Sequence, residues 1–356
     1  MKEIGSIFTL TAKNISENER RTESILPGKI LYSLGREALG DIARHCEDGA
    51  KTVLIPAYTF QTVIDPFQEN GWNIVFYSIH KDLHINLEDL KNKFSIFSPS
   101  LIVVHPYFGM DLDEDEDRML TKFHENGIKI IVDLTQCLFS EHNYSYAHYI
   151  VGSYRKWFPV PDGGFLITNS SGFEQPKDPT SEFSRLQTDA MYLRNLYFNT
   201  SDKLVKDISI RINKAANFIA TNTINPHRIS DLAYNLLLQQ DTESNRNQRL
   251  LNFKYLYNNI IESEWVKKVC SDIVRLTTAP LYFTIYVKNR KELQNHLARN
   301  SIYAPVIWPV EEDRVLINDD IKYIYESILA IPCDQRYDNN DMKRIVNSIK
   351  EFNNGS

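Results

Sequence analysis

Asp133 and Lys156 are the residues of this chain whose types and positions best suit chemistry. Asp133 ends the apolar run "IKIIV" in "VDLTQ", and Lys156 follows 23 residues later in "GSYRKWFPVPDGGFLI". A carboxylate at the end of a buried strand is partly desolvated and needs a cationic or donor partner. A helix cap or loop hydrogen bond would also satisfy it. A lysine among Tyr154, Trp157 and Phe158 has its pKa lowered by desolvation, which favours nucleophilic or Schiff-base chemistry. An exposed loop lysine is the alternative. Arg155 beside it could bind a substrate anion or face water. In "SLGREAL", Gly35 precedes a helix whose first turn presents free backbone amides, and Arg36 adds charge, as an anion site requires. In "PAYTFQT", Phe60 follows a buried strand and could stack on a planar ligand or pack in the core.

The intervening chain has to bring these residues together. From Lys29 to about Asn169 the pattern is β-α-β-α, with the continuous apolar runs "KTVLIP", "WNIVFYSI", "LIVVHPYFG" and "IKIIVDLTQ" alternating with helical segments. Such runs indicate a mostly parallel sheet covered on both faces. Its ligand site lies beyond the carboxyl ends of the strands, so the windows 35–36, 58–60, 105–109, 133–136 and 153–156 should converge. The helix "DEDEDRMLTKFHENG" starts acidic and closes at Gly127, as macrodipole and C-cap rules require. Residues 181–264 read as mostly helical. "APLYFTIYV", "NRKELQNHLARN", "SIYAPVIW", "SILAIPC" and "NNDMKRIVNSIKEF" then give β-α-β-β-α. The expected organisation is an N-terminal arm over 1–28, a large α/β domain over 29–264 and a small α+β domain over 265–356.

Composition narrows the class. The 356 residues carry a net charge of −6, which argues against nucleic acid as the main partner. Cys46, Cys137, Cys270 and Cys333 are widely spaced and form no CxxC pair, so free thiols in a reducing cytoplasm are expected. The pair His80 and His84 in "HKDLH" lacks the glutamate of the HExxH motif, and no metal site is expected there. The N-terminus lacks the sustained apolar run of a secretory signal. No stretch approaches the roughly 20 apolar residues of a membrane span.

A carboxylate, a lysine, an anion-binding helix start and an aromatic at one sheet edge are the set pyridoxal 5'-phosphate (PLP) demands. The lysine takes its aldehyde, the carboxylate its pyridinium nitrogen and the helix start its phosphate. The chain also resembles the DegT/DnrJ/StrS sugar aminotransferases, a fold-type I PLP-dependent family. The resemblance runs from about Leu31 to the C-terminus and is weakest across 170–265. It rests on "LGREAL", "PAYTFQT", "VHPYFGMDLD", "VDLTQ", Lys156 with "PDGGFLITN", and "ILAIPCDQRYDNNDMKRIVNSIKEF", all in the family's order. It implies that Lys156 bonds to the cofactor, Asp133 holds its pyridine N–H, Gln136 sits near its phenolic oxygen and Phe60 stacks on its ring. Gly35 and Arg36 would supply the phosphate-binding turn.

There are departures. Arg36 stands where the family has a small hydroxyl residue, and Glu37, where a small residue is usual, must turn away from the phosphate. Val151 replaces a serine five residues before the lysine, leaving Ser153 as the nearest serine on that segment. The resemblance implies an aminotransferase acting between an amino-acid donor, glutamate, and a keto-sugar, nucleotide-linked, in polysaccharide or secondary-metabolite biosynthesis. It also implies a homodimer. Arg155, Arg336 or an arginine of a second subunit could bind the substrate anion. Two alternatives stay open: other fold-type I chemistry, or a binding protein that kept the fold and lost turnover. Lys156 argues against the dehydratase branch of the family, which carries histidine there.

Overall fold

The computed structural model describes residues 2–11, 26, 28–46, 50–178, 182–222, 225–270, 272–273, 276–310 and 312–355. Most of the expected N-terminal arm (1, 12–25 and 27) lies outside the described residues.

The apolar strands are buried on both faces because their side chains alternate between two cores. In β2 (Thr52–Pro56), β4 (Leu101–Val104) and β5 (Lys129–Asp133), residues Val53, Ile55, Leu101, Val103 and Ile131 join one apolar cluster. That cluster includes Ala38, Leu39, Ile42 and Ala43 of helix α1 (Gly35–His45) and Val63, Ile64 and Phe67 of α2 (Gln61–Glu69). The alternate residues Leu54, Ile102, Val104, Ile130 and Val132 face the other way, into a core shared with Phe253, Ile285 and Ile328 from the C-terminal part of the chain.

With β1 (Ile30–Tyr32), β3 (Asn73–Tyr77), β6 (Tyr149–Ser153) and β7 (Gly164–Ile167), these strands form a seven-stranded sheet ordered β1-β7-β6-β5-β4-β2-β3. Strands β3, β2, β4, β5 and β6 run parallel. Strand β7 runs antiparallel between β6 and β1. The sheet is therefore mostly parallel, as the apolar runs predict. Helices α3 (Leu87–Phe97) and α4 (Glu114–Glu125) are further crossovers. The acidic start of α4 is a capping box: Asp113 accepts from the amides of Asp115 and Glu116, and Glu116 accepts from that of Asp113.

Beyond the sheet, α5 (Glu182–Thr200) and α6 (Lys203–Asn222) pack along each other, followed by α7 (Asp231–Leu238) and α8 (Thr242–Asn259). The C-terminal segment folds as β8 (Val266–Lys268), β9 (Phe283–Val287), α9 (Arg290–Arg299), α10 (Asp319–Ser327), β10 (Ile328–Ile331) and α11 (Asn339–Gly355). Its three strands are antiparallel in the order β10-β9-β8. The strand expected in "SIYAPVIW" is not one. Ile302 makes a single bridge to Ile4, and residues 303–308 are irregular. Pro305 and Pro309 have no amide to give a ladder, and the Pro305 carbonyl makes one bond to the Ala330 amide (3.0 Å). Val266–Lys268 takes the third place.

The Gly-Gly pair has a geometric cause. Gly163 adopts φ +127°, and its amide donates to the Ser33 carbonyl at 2.7 Å. A Cβ on Gly164 would lie 2.4 Å from the Gly35 nitrogen and from the Leu34 carbonyl carbon, both backbone atoms. Strand β7 thus presses directly on the start of α1. Gly164→Ala is expected to destabilise the fold by roughly 1–3 kcal/mol or more. Urea unfolding measures this, and an unchanged midpoint would contradict the close approach.

Candidate active site

The windows at the strand ends converge on one cavity of about 490 Å³. Gly35, Arg36, Phe60, Asp133, Gln136, Ser153 and Lys156, the residues singled out in the sequence, all line it. Arg155 and His105 line it as well, as do Asn217 and Thr221 of α6 and the loop through Trp308. A larger surface hollow of about 650 Å³, beside Lys29 and Arg228, contains none of them.

Lys156 ends a single 3-10 turn, Tyr154–Lys156, between β6 and β7. The turn is held from several sides. The Tyr154 amide donates to the Gly163 carbonyl (2.9 Å), and the Trp157 indole donates to the Thr135 carbonyl (2.8 Å). Gln335 and the buried Arg249 donate to the Trp157 carbonyl (2.7 and 3.3 Å). Trp157 and Phe158 are fully buried in an apolar cluster directly after the lysine. Burial pushes its pKa down to about 8; the neighbouring Arg155 adds to this, and Asp133 opposes it.

Asp133 is the last residue of β5 and is buried. One carboxylate oxygen accepts from the Thr135 amide (2.9 Å), and the other lies 3.6 Å from His105 Nδ1. The opposite nitrogen of that ring pairs with the Thr59 hydroxyl (2.8 Å). Burial depresses the His105 pKa against the pull of Asp133, so the ring is held neutral. Gln136 is buried, and its side-chain oxygen accepts from the Phe108 amide (3.3 Å). Phe60 lies nearly parallel to Trp308, with ring centroids 6.3 Å apart and an interplanar angle of 15°.

At the far end, Leu34 gives α1 no side-chain cap. The Glu37 amide bonds to the Leu34 carbonyl (3.1 Å). This leaves the first-turn amides of Gly35 and Arg36 with no intrahelical acceptor. Ser153 is buried beside them, its hydroxyl 3.5 Å from the Gly163 carbonyl. Glu37 is tied mainly to His227, accepting from its amide and ring, both at 3.1 Å, but one carboxylate oxygen also folds back to the Leu34 amide (3.3 Å) at the start of α1. The Arg36 guanidinium also turns aside, donating to the carbonyls of Ala220 (3.1 Å) and Thr221 at the end of α6. It lies 3.6 Å from both Asp65 and Glu69.

Two residues had no role assigned from the sequence. His105 directly follows the buried run "LIVV", the same signal that marked Asp133. Trp308 lay in a segment misread as a strand. The approach of α6 left no mark in the sequence. The two histidines of "HKDLH" part company: His80 faces Asp320 (3.6 Å), whereas His84 meets Asp113 and Glu116 (3.4 and 3.2 Å), the carboxylates that cap α4.

No protein-family model and no curated protein matches the sequence. Solved structures do. The putative sugar aminotransferase Spr1654 from Streptococcus pneumoniae, in its PLP form, matches with a TM-score of 0.67 at 15% identity, covering 98% of this chain and 93% of that one. PseC of Helicobacter pylori, an aminotransferase involved in pseudoaminic acid biosynthesis, matches with a TM-score of 0.67 at 13% identity, over 98% and 99%. The sugar aminotransferase CalS13 of Micromonospora echinospora gives 0.64 at 16%, over 91% and 87%. The chain therefore has the α/β fold of the fold-type I PLP-dependent transferases. It matches these solved sugar aminotransferases over nearly its whole length.

Proposed function

We propose that this protein is a PLP-dependent aminotransferase that moves an amino group from an amino-acid donor, glutamate, to a nucleotide-linked keto-sugar. The observation that carries this reading is the meeting of Lys156 and Asp133 in one cavity whose far end is the start of α1, where the Gly35 and Arg36 amides have no intrahelical acceptor. The residues fit the cofactor: a desolvated amine for its aldehyde, a buried carboxylate for its ring nitrogen and free helix amides for its phosphate. When bound, PLP supplies an electron sink for the carbon that loses its proton. Asp133 would keep the ring nitrogen protonated, and His105 Nδ1 lies 3.6 Å from its carboxylate. Phe60 packs on the ring face. Gln136 orients the phenolic edge. The Lys156 amine would hold the aldehyde and, once free, would move the proton as base and then acid. That the matched structures are sugar aminotransferases supports the substrate class, and the PLP and PMP forms of Spr1654 support the cofactor.

No described helix is long and apolar enough to cross a membrane, and a cytoplasmic homodimer is the proposed state. Adding glutamate to the PLP-loaded protein should convert the absorbance of the bound aldehyde form to that of the amine form. A keto-sugar nucleotide should reverse the change. Bound PLP that no amino donor converts would make this a binding protein instead.

A further inference from the structure

Within the cofactor reading above, the structure divides the two arginines near the phosphate end between different tasks. We propose that Arg155, the residue directly before Lys156, is the cation that holds the cofactor's phosphate, while Arg36 is a clamp on α6.

Arg36 has no charge to spare. Two carboxylates, Asp65 and Glu69, lie 3.6 Å from its Nη2, and its Nη1 donates to both carbonyls that end α6, while Nε and Nη2 make no hydrogen bond among the described residues. A cation at a helix C-terminus between two acids is already neutralised. Arg155 is in the opposite condition. It lines the cavity beside Gly35 and Ser153, yet it makes no ion pair or hydrogen bond with any described residue. Its guanidinium packs over the Phe183 ring, 5.4 Å from the centroid. Phe183 belongs to the apolar cluster of Leu34, Ala216 and Ala220, so this contact pins Arg155 towards the start of α1. Asp162, the acid that influences it, has its oxygens filled by the Ser184 hydroxyl (2.5 Å) and by the Ser230 amide and hydroxyl (3.0 and 2.7 Å). Burial weighs against the charge of Arg155, and a bound anion relieves that cost.

The assignment accounts for two departures in the sequence. Val151 packs in the apolar cluster with Ile131 and Leu166 and has no donor to offer. Arg36 brings its backbone amide to the turn but directs its guanidinium elsewhere. The phosphate is then met by the Gly35 and Arg36 amides, the Ser153 hydroxyl and the forked guanidinium of Arg155, a geometry suited to a tetrahedral dianion.

The test compares PLP with pyridoxal, which lacks the phosphate, by spectrophotometric titration of wild type, Arg155→Gln, Arg155→Lys and Arg36→Gln. Titrated well above pH 8, where the Lys156 amine is unprotonated in wild type and variant alike, Arg155→Gln should weaken PLP binding about 10–100-fold, the range for a lost charge-assisted hydrogen bond, and pyridoxal binding far less. Arg155→Lys should recover part of the loss. Inorganic phosphate should compete with PLP in the wild type and lose most of that effect in Arg155→Gln. Arg36→Gln should lower the melting temperature and weaken both aldehydes alike. If the PLP-to-pyridoxal preference survives Arg155→Gln, the assignment is wrong. If that variant instead raises only the donor's KM, Arg155 serves the substrate anion, and the assignment is equally wrong. A wild type that binds neither aldehyde overturns the cofactor reading itself, a result separate from an unchanged preference. Circular dichroism on each variant guards against misfolding, and Arg155→Lys carries the test should Arg155→Gln fail to fold.

Discussion

Replacing Lys156 by alanine removes the borohydride-trapped adduct with PLP and slows amino transfer by at least about 10²–10⁴-fold, the range for a lost positioned acid–base group. In the proposed mechanism one amine does two jobs, anchoring the aldehyde and carrying the proton, so the expected effect is large. The fold should persist, because the turn is held by the backbone of Tyr154, Trp157 and Gly163 and not by the lysine head. Peptide mapping by mass spectrometry reads the result. An adduct that survives in Lys156→Ala, or scatters over surface lysines, refutes the assignment. The pH course adds a second check. With a pKa of about 8, about a tenth of the amine is unprotonated at pH 7, against well under 1% for an ordinary lysine. Adduct formation should therefore climb through pH 8 and level off above it. Arg155 is one cause of the lowering, so Arg155→Gln should move that midpoint upward.

Asp133→Asn is expected to slow transfer by roughly 10²–10³-fold with little change in melting temperature. The asparagine carbonyl still accepts from the Thr135 amide, so the strand end keeps its bond. The lost negative charge is the one proposed to pair with the protonated ring nitrogen. Removing one member of a buried charge pair costs about 2–5 kcal/mol, which sets the magnitude. His105 offers no replacement charge, because burial keeps its ring neutral and loss of Asp133 lowers its pKa further. Single-turnover rates with glutamate measure the effect. A variant within about threefold of wild type would show that Asp133 is only the cap that the Thr135 amide requires.

Much of the site was legible because parallel sheets obey a local rule. A strand buried on both faces is a continuous apolar run, and the ligand-facing residue is the one just past its end. That rule reached Phe60, Asp133 and the turn to Lys156, and it also marked His105, although no role was drawn from it. It could not resolve Arg36 from Arg155. Both are arginines near an apolar run, and the difference lies in the surroundings of each head: Asp65, Glu69 and the end of α6 for one, Phe183 and an occupied Asp162 for the other. The segment "SIYAPVIW" misled because its alternation suits a strand, whereas Pro305 and Pro309 deny it a ladder and free Trp308 to reach the cavity.

By itself, then, the sequence determined the order of strands and helices through the large sheet, the edge at which the candidate residues meet, and the pairing of a carboxylate with a lysine there. These depend on the period of apolar residues and on the residue types at the end of each run, both of which are local. Only the tertiary structure decided which cations are neutralised, which wall α6 provides and why Gly164 admits no side chain. Those outcomes depend on contacts between residues far apart in the chain, such as Arg36 with Thr221 and Gly164 with Gly35, and no local period encodes them.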